Sequence, residues 1–261
     1  MPADRDLRHM RSAIPLPHTD AMMKMLLGIH IAGGAAALLA MAIPLVARKG
    51  GRAHVRAGWV FVTGMTAVSI TALVLAAGRF FFDPRPQAQA AGVFLFYVAI
   101  LTGAGVSAGM RALRGKRRTA ASHHPWDVGM AALLTASGAG ILVYGAMLRV
   151  PLFVIFSAVG IANGTGQLRY WLRPPTSHMH WWYEHMSGML GACIAATTAF
   201  LVNNAGNLGL SNLSLVVWLT PAVIGGPASA IWRAYYRRKF EFAGRNDRRR
   251  NAATAAPAAS A

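Results

Sequence analysis

Apolar and polar positions alternate along this chain in long blocks rather than in the short periods of one helix face or one strand face. Seven apolar blocks run over Met22–Ala47, Ala57–Gly78, Ala90–Met110, Val128–Leu148, Val150–Leu168, His185–Val202 and Leu213–Trp232. Each is close to the roughly 20 helical residues that cross about 30 Å of hydrocarbon. Segments apolar on every side are stable as helices only when buried or bathed in lipid. The expected fold class is therefore all-α: a polytopic transmembrane helical bundle of seven spans. The fourth and fifth blocks are parted only by Arg149, with Pro151 just beyond, which predicts a tight helical hairpin.

The polar segments between blocks set a direction. With seven spans, the N-terminus shares a side with the second, fourth and sixth connections, and that side carries seven basic residues. The first, third and fifth connections share the other side with the C-terminus and carry nineteen, from Arg48 and Lys49 to the run Arg248-Arg249-Arg250. Cationic connections stay in the cytoplasm, so the expectation is N-terminus out and C-terminus in. A missed or extra span would break this asymmetry. The domain plan follows: 1–20 an extracytoplasmic N-terminal tail, 21–240 a seven-helix membrane domain, 241–261 a disordered basic cytoplasmic tail. The tail 1–20 mixes Arg5, Arg8 and Arg11 with Asp4, Asp6 and Asp20 and has no short apolar core, so no cleaved signal peptide is expected and the first span acts as the insertion signal. The expected location is a bacterial inner membrane.

Composition agrees. Of the 261 residues 55% are hydrophobic and 13% charged, against about 25% charged in a soluble domain. The formal charge of +18 lies between and after spans rather than on one folded face. It suits the bilayer and its anionic lipids at the cytoplasmic face, and argues against nucleic acid as a partner. A membrane-protein partner or a second copy stays open. Trp171, Trp181, Trp182, Trp232, Tyr235 and Tyr236 fall at the same boundary, as an aromatic belt would. Glycine and serine at helical spacing, among them Gly103, Gly105, Ser107, Gly109, Gly160, Gly164, Gly188 and Gly191, predict close helix packing.

Candidate chemistry rests on histidine. Acidic residues are scarce: Asp127 and Glu184 stand at helix starts, where a carboxylate complements the helix N-terminus. The lone Cys193 reads as a small buried residue, and no Cys-x-x-Cys, His-Glu-x-x-His, Gly-x-Ser-x-Gly or phosphate-loop pattern occurs. No lysine lies deep in a late span, which excludes a retinal Schiff base. His30 lies inside the first span, where an ionisable group is costly; it is either functional or a neutral imidazole bonded to a neighbouring helix. His54, His123, His124, His178, His180 and His185 map to the basic boundary. His54 and His185, at helix starts, are the best-placed pair for a bis-histidine haem b, with His30 as a second, outer cofactor position. His178, His180 and His185 with Glu184 form the densest group, and His178, His180 and Glu184 are its candidate transition-metal ligands. Asn163, Thr165, Gln167, Thr197, Thr198, Asn203 and Asn204 could line a small-molecule path or bond between helices.

The stretches His30-Ile-Ala-Gly-Gly, His54-Val-Arg-Ala-Gly-Trp-Val, His185-Met-Ser-Gly-Met-Leu-Gly-Ala-Cys and Trp218-Leu-Thr-Pro-Ala-Val-Ile-Gly resemble bacterial polytopic proteins grouped as domain of unknown function 2306. The resemblance spans roughly Leu26 to Arg238 and implies a helical membrane bundle with no established activity. Its motif positions fall on His30, His54, Gly58, His185, Gly188 and Pro221. The arginine that often follows the second histidine stands here at Arg56.

Two functional classes follow: a haem- or metal-binding redox membrane protein, and a small-molecule transporter or permease. A non-catalytic assembly subunit is the third. The first is preferred, because histidine is enriched while acidic residues usable for ion coupling are nearly absent.

Overall fold

A computed structural model describes residues 17–211 and 214–255, with side chains for 20–211 and 214–240. Its described residues form seven α-helices and no strand: α1 Pro17–Val46, α2 Arg52–Phe82, α3 Pro86–Ala112, α4 Pro125–Leu148, α5 Pro151–Leu172, α6 His180–Asn204 and α7 Leu215–Ala255. A short 3-10 turn, Ala205–Leu208, extends α6. All seven are long and apolar enough to cross a membrane. Residues 1–16 of the expected N-terminal tail lie outside the described residues. The expected tail over 241–261 falls where no side chain is described, and the backbone of α7 is helical through Ala255.

Local chemistry sets the ends. Pro86, Pro125 and Pro151 occupy first helical positions, where a missing N–H costs nothing. The hairpin between α4 and α5 closes on Arg149, whose φ of 56° is left-handed, with Arg149 N–H on Ala146 O and Val150 N–H on Gly145 O. Arg173 ends α5 in extended conformation, as a residue before Pro174 must.

The helices pack in chain order, α1 on α2, α2 on α3, α3 on α4, α4 on α5, and α6 on α7. α3 is the hub: it also packs against α5 and α6, and it is the most buried span, while α1 and α7 are the least. One core joins Ala37, Phe61, Met65, Val106 and Ala196 from α1, α2, α3 and α6. A second joins Phe94, Tyr97, Leu134, Ile141 and Phe153 from α3, α4 and α5, with Phe94 and Phe153 stacked at 4.6 Å. Trp218 of α7 sets its ring 5.4 Å from Phe94. Outward faces stay apolar, Leu39 being 79% exposed, as a lipid-facing surface requires.

Backbone contact is closest where glycines meet. A Cβ on Gly188 of α6 would lie 2.5 Å from Gly105 O and 2.9 Å from Gly109 Cα of α3. The expectation of small-residue packing holds there, whereas Gly191 faces open space. Contacts across the α1–α2, α3–α4 and α5–α6 connections bring those three to one end of the bundle with residues 232–240 of α7, called here the basic end.

Candidate functional site

The histidines of the basic end tie helices together through Nδ1. His54, in the first turn of α2, places Nδ1 3.3 Å from the Pro44 carbonyl of α1. His185, in the second turn of α6, places Nδ1 3.0 Å from the Gly109 carbonyl of α3. A carbonyl only accepts, so each Nδ1 carries the proton and each neutral ring has Nε2 as its unprotonated nitrogen. The two imidazoles lie within electrostatic range of each other, and Lys116 is within range of His185.

His180 of α6 holds its Nδ1 2.9 Å from the Tyr170 hydroxyl of α5, and its Nε2 is buried without a hydrogen-bond partner. His178 lies within electrostatic range of His180, while Glu184 lies in that of Arg118 and Arg233. Among the described residues no group of three or more His, Cys, Asp or Glu side chains gathers as a metal site would; His178, His180 and Glu184 therefore do not form one. His30 also bonds through Nδ1, 3.0 Å from the Thr71 hydroxyl of α2, which itself donates to Ala67 O. This is the helix-joining arrangement expected of a neutral imidazole in a span, and no other histidine whose side chain is described shares its half of the bundle.

Two roles differ from expectation. Asp127 does not cap α4: His124 does, its Nδ1 accepting from Trp126 N–H at 3.2 Å. Asp127 is instead 5% exposed and paired with Arg111 at the end of α3 through two parallel bonds, Nε to Oδ1 and Nη2 to Oδ2. The amides and hydroxyls of Asn163, Thr165, Thr197, Thr198, Asn203 and Asn204 donate to the carbonyl four residues earlier on their own helix. In an apolar setting that carbonyl is the nearest acceptor, so the expected bonds between helices are not made by these groups.

In the sequence Arg118 stands out only as one charge of a basic connection. Its guanidinium donates to Tyr170 O at 2.7 Å, Trp171 O at 3.2 Å and Arg173 O at 3.0 Å, closing the α3–α4 connection onto the end of α5. No sequence signal marked Arg118 out from its neighbours Lys116 and Arg117, since which helix end it meets is decided by the three-dimensional fit. Lys49 similarly donates to Pro44 O and Leu45 O at 2.7 and 2.8 Å, and burial pulls its pKa below the ordinary lysine value. At the other end of the bundle, hydrogen bonds from Arg85 hold the half-buried Asp83 carboxyl down at about 2.

Seven apolar spans with polar chemistry gathered at their ends define a multi-pass helical membrane protein. Compared with known proteins, the chain matches no family model, no curated protein and no solved structure.

Proposed function

We propose that the protein is a redox membrane protein of the bacterial inner membrane that holds a b-type haem between His54 and His185, with the basic end in the cytoplasm. The observation that carries the reading is the matched pair of imidazoles on α2 and α6, each with Nδ1 on a backbone carbonyl and Nε2 left to ligate. A second hydrogen bond of that kind fixes the tautomer and raises ligand basicity.

The donor set fits haem better than a bare ion. A haem would need only two imidazoles from the protein, and His54 and His185 would hold it; a bare ion needs further protein ligands, and no group of three gathers among the described residues. Bound haem supplies one-electron transfer. The chain's own residues would do the rest: His54 and His185 would bind, with Pro44 O and Gly109 O orienting the two rings, and Lys116, within electrostatic range of His185, would offer a cation to the propionates.

Protein purified in mild detergent from haem-replete cells should show a Soret band that shifts on reduction. His54→Ala and His185→Ala should each abolish the paired-imidazole spectrum while far-ultraviolet dichroism stays helical. A colourless wild-type protein, or a spectrum unmoved by both substitutions, overturns the reading.

A further inference from the structure

A cleft of about 480 Å³ opens at the basic end between the last turn of α1 and the facing turns of α6 and α7. Val46, Arg48 and Lys49 line one wall, and Trp182, Trp232 and Tyr236 line the other. Neither His54 nor His185 lines it, although Lys49 and His54 share the Pro44 carbonyl.

Its walls differ in chemistry. Arg48 and Lys49 bring two positive charges, and among the residues whose side chains are described no acidic group lines the cleft. Lys49 is fixed in place: Nζ donates to Pro44 O and Leu45 O and stands 4.8 Å from the centroid of the Trp232 ring. Two of its three N–H donors are engaged, leaving one. The Arg48 guanidinium is exposed and makes no hydrogen bond or ion pair with a described residue. Across the cleft the Trp182 and Tyr236 rings lie 4.4 Å apart, and Val46 at the mouth is 87% exposed.

Two cations above an aromatic shelf, at the end of membrane spans, match a phosphodiester with acyl chains attached. Anionic headgroups collect near juxtamembrane lysine and arginine, and tryptophan and tyrosine sit at headgroup level. We infer that this cleft binds the headgroup of an anionic phospholipid from the leaflet beside the basic end, its phosphate held by Arg48 and Lys49 and its chains running down past Val46. A zwitterionic headgroup brings its own cation to the same place and fits less well.

Native mass spectrometry of the full chain, titrated separately with phosphatidylglycerol and phosphatidylcholine in a neutral detergent, tests this. Phosphatidylglycerol should be retained one to one and in preference to phosphatidylcholine. Arg48→Gln should weaken retention about fivefold, and Arg48→Gln with Lys49→Gln about 30-fold, from the attraction of one cation and of two near an anionic surface. Arg114→Gln with Arg117→Gln removes the same charge from an exposed connection at the same end, and should change retention by less than about twofold because the water between screens it. The Arg48 side chain makes no hydrogen bond or ion pair with a described residue, so its single variant decides the matter even if loss of Lys49 prevents folding. Equal binding of both lipids, equal weakening in the Arg114 and Arg117 pair, or displacement of the lipid by millimolar inorganic phosphate overturns the inference, the last in favour of a soluble-anion site.

Discussion

The ion pair between Arg111 and Asp127 is the sharpest test of how α3 and α4 are held together. The Asp127 side chain is 3% exposed and that of Arg111 22% exposed. Taking one partner from a buried pair strands the other charge, which costs about 3–5 kcal/mol. Asp127→Leu strands a guanidinium that still reaches the interface, so the cost falls to about 2 kcal/mol. Arg111→Met strands a carboxylate with almost no exposure, and the cost stays near 3 kcal/mol. Removing both charges leaves apolar side chains of similar volume, for which such exchanges run near neutral. The double variant should therefore lose only about 1 kcal/mol rather than the roughly 5 kcal/mol of the sum, a coupling larger than independent sites ever show. Unfolding in mixed micelles titrated with dodecyl sulfate, followed by far-ultraviolet dichroism, gives the four stabilities. Additive costs, or single variants within about 0.5 kcal/mol of the parent, would refute the reasoning; the His124 cap is untouched throughout.

Two further outcomes are expected. Gly188→Leu should split α6 from α3, because even its Cβ meets the Gly105 carbonyl at 2.5 Å, and should cost about 3 kcal/mol or block insertion; Gly191→Leu, which faces open space, serves as the matched variant and should fold normally in the same assay. Reporter fusions at the C-terminus should be active only for a cytoplasmic reporter, following the nineteen-to-seven split of basic residues; periplasmic alkaline phosphatase activity there would reverse the proposed sidedness.

The seven spans were readable because lipid imposes a length and forbids charge. Helix ends were less so: α2 begins at Arg52 and ends at Phe82, several residues beyond the apolar block Ala57–Gly78, because interfacial arginines continue a helix as well as apolar residues do. The α4–α5 hairpin was readable from Arg149 and Pro151, which together leave no room for a longer turn. Gly188 could be read as a packing residue, but not its partners Gly105 and Gly109, since the choice of neighbour is made by three-dimensional fit. The same limit let His54 and His185 be placed at one boundary but not within range of each other, and hid that Asn163 or Thr197 would turn back to its own helix.

What unites the basic end is the polarity of the helices that finish there. α1, α3 and α5 each end at this side, and the last four carbonyls of a helix lack partners within it and carry its partial negative charge. Each of the three is met from outside. Pro44 and Leu45 carbonyls take Lys49, with His54 also on Pro44. Gly109 takes His185, and Tyr170 and Trp171 take Arg118. The excess of cationic and imidazole residues is thus consumed partly in capping, so sidedness and helix termination draw on the same residues. An acceptor of that kind dictates the tautomer of any imidazole it meets. His54 and His185, set against two carbonyl ends, must both carry a proton at Nδ1, so the neutral form of each keeps its lone pair at Nε2. The tautomer that the proposed haem ligation needs is thus fixed by helix ends, without a carboxylate to orient the rings, in a chain that has few carboxylates to lend.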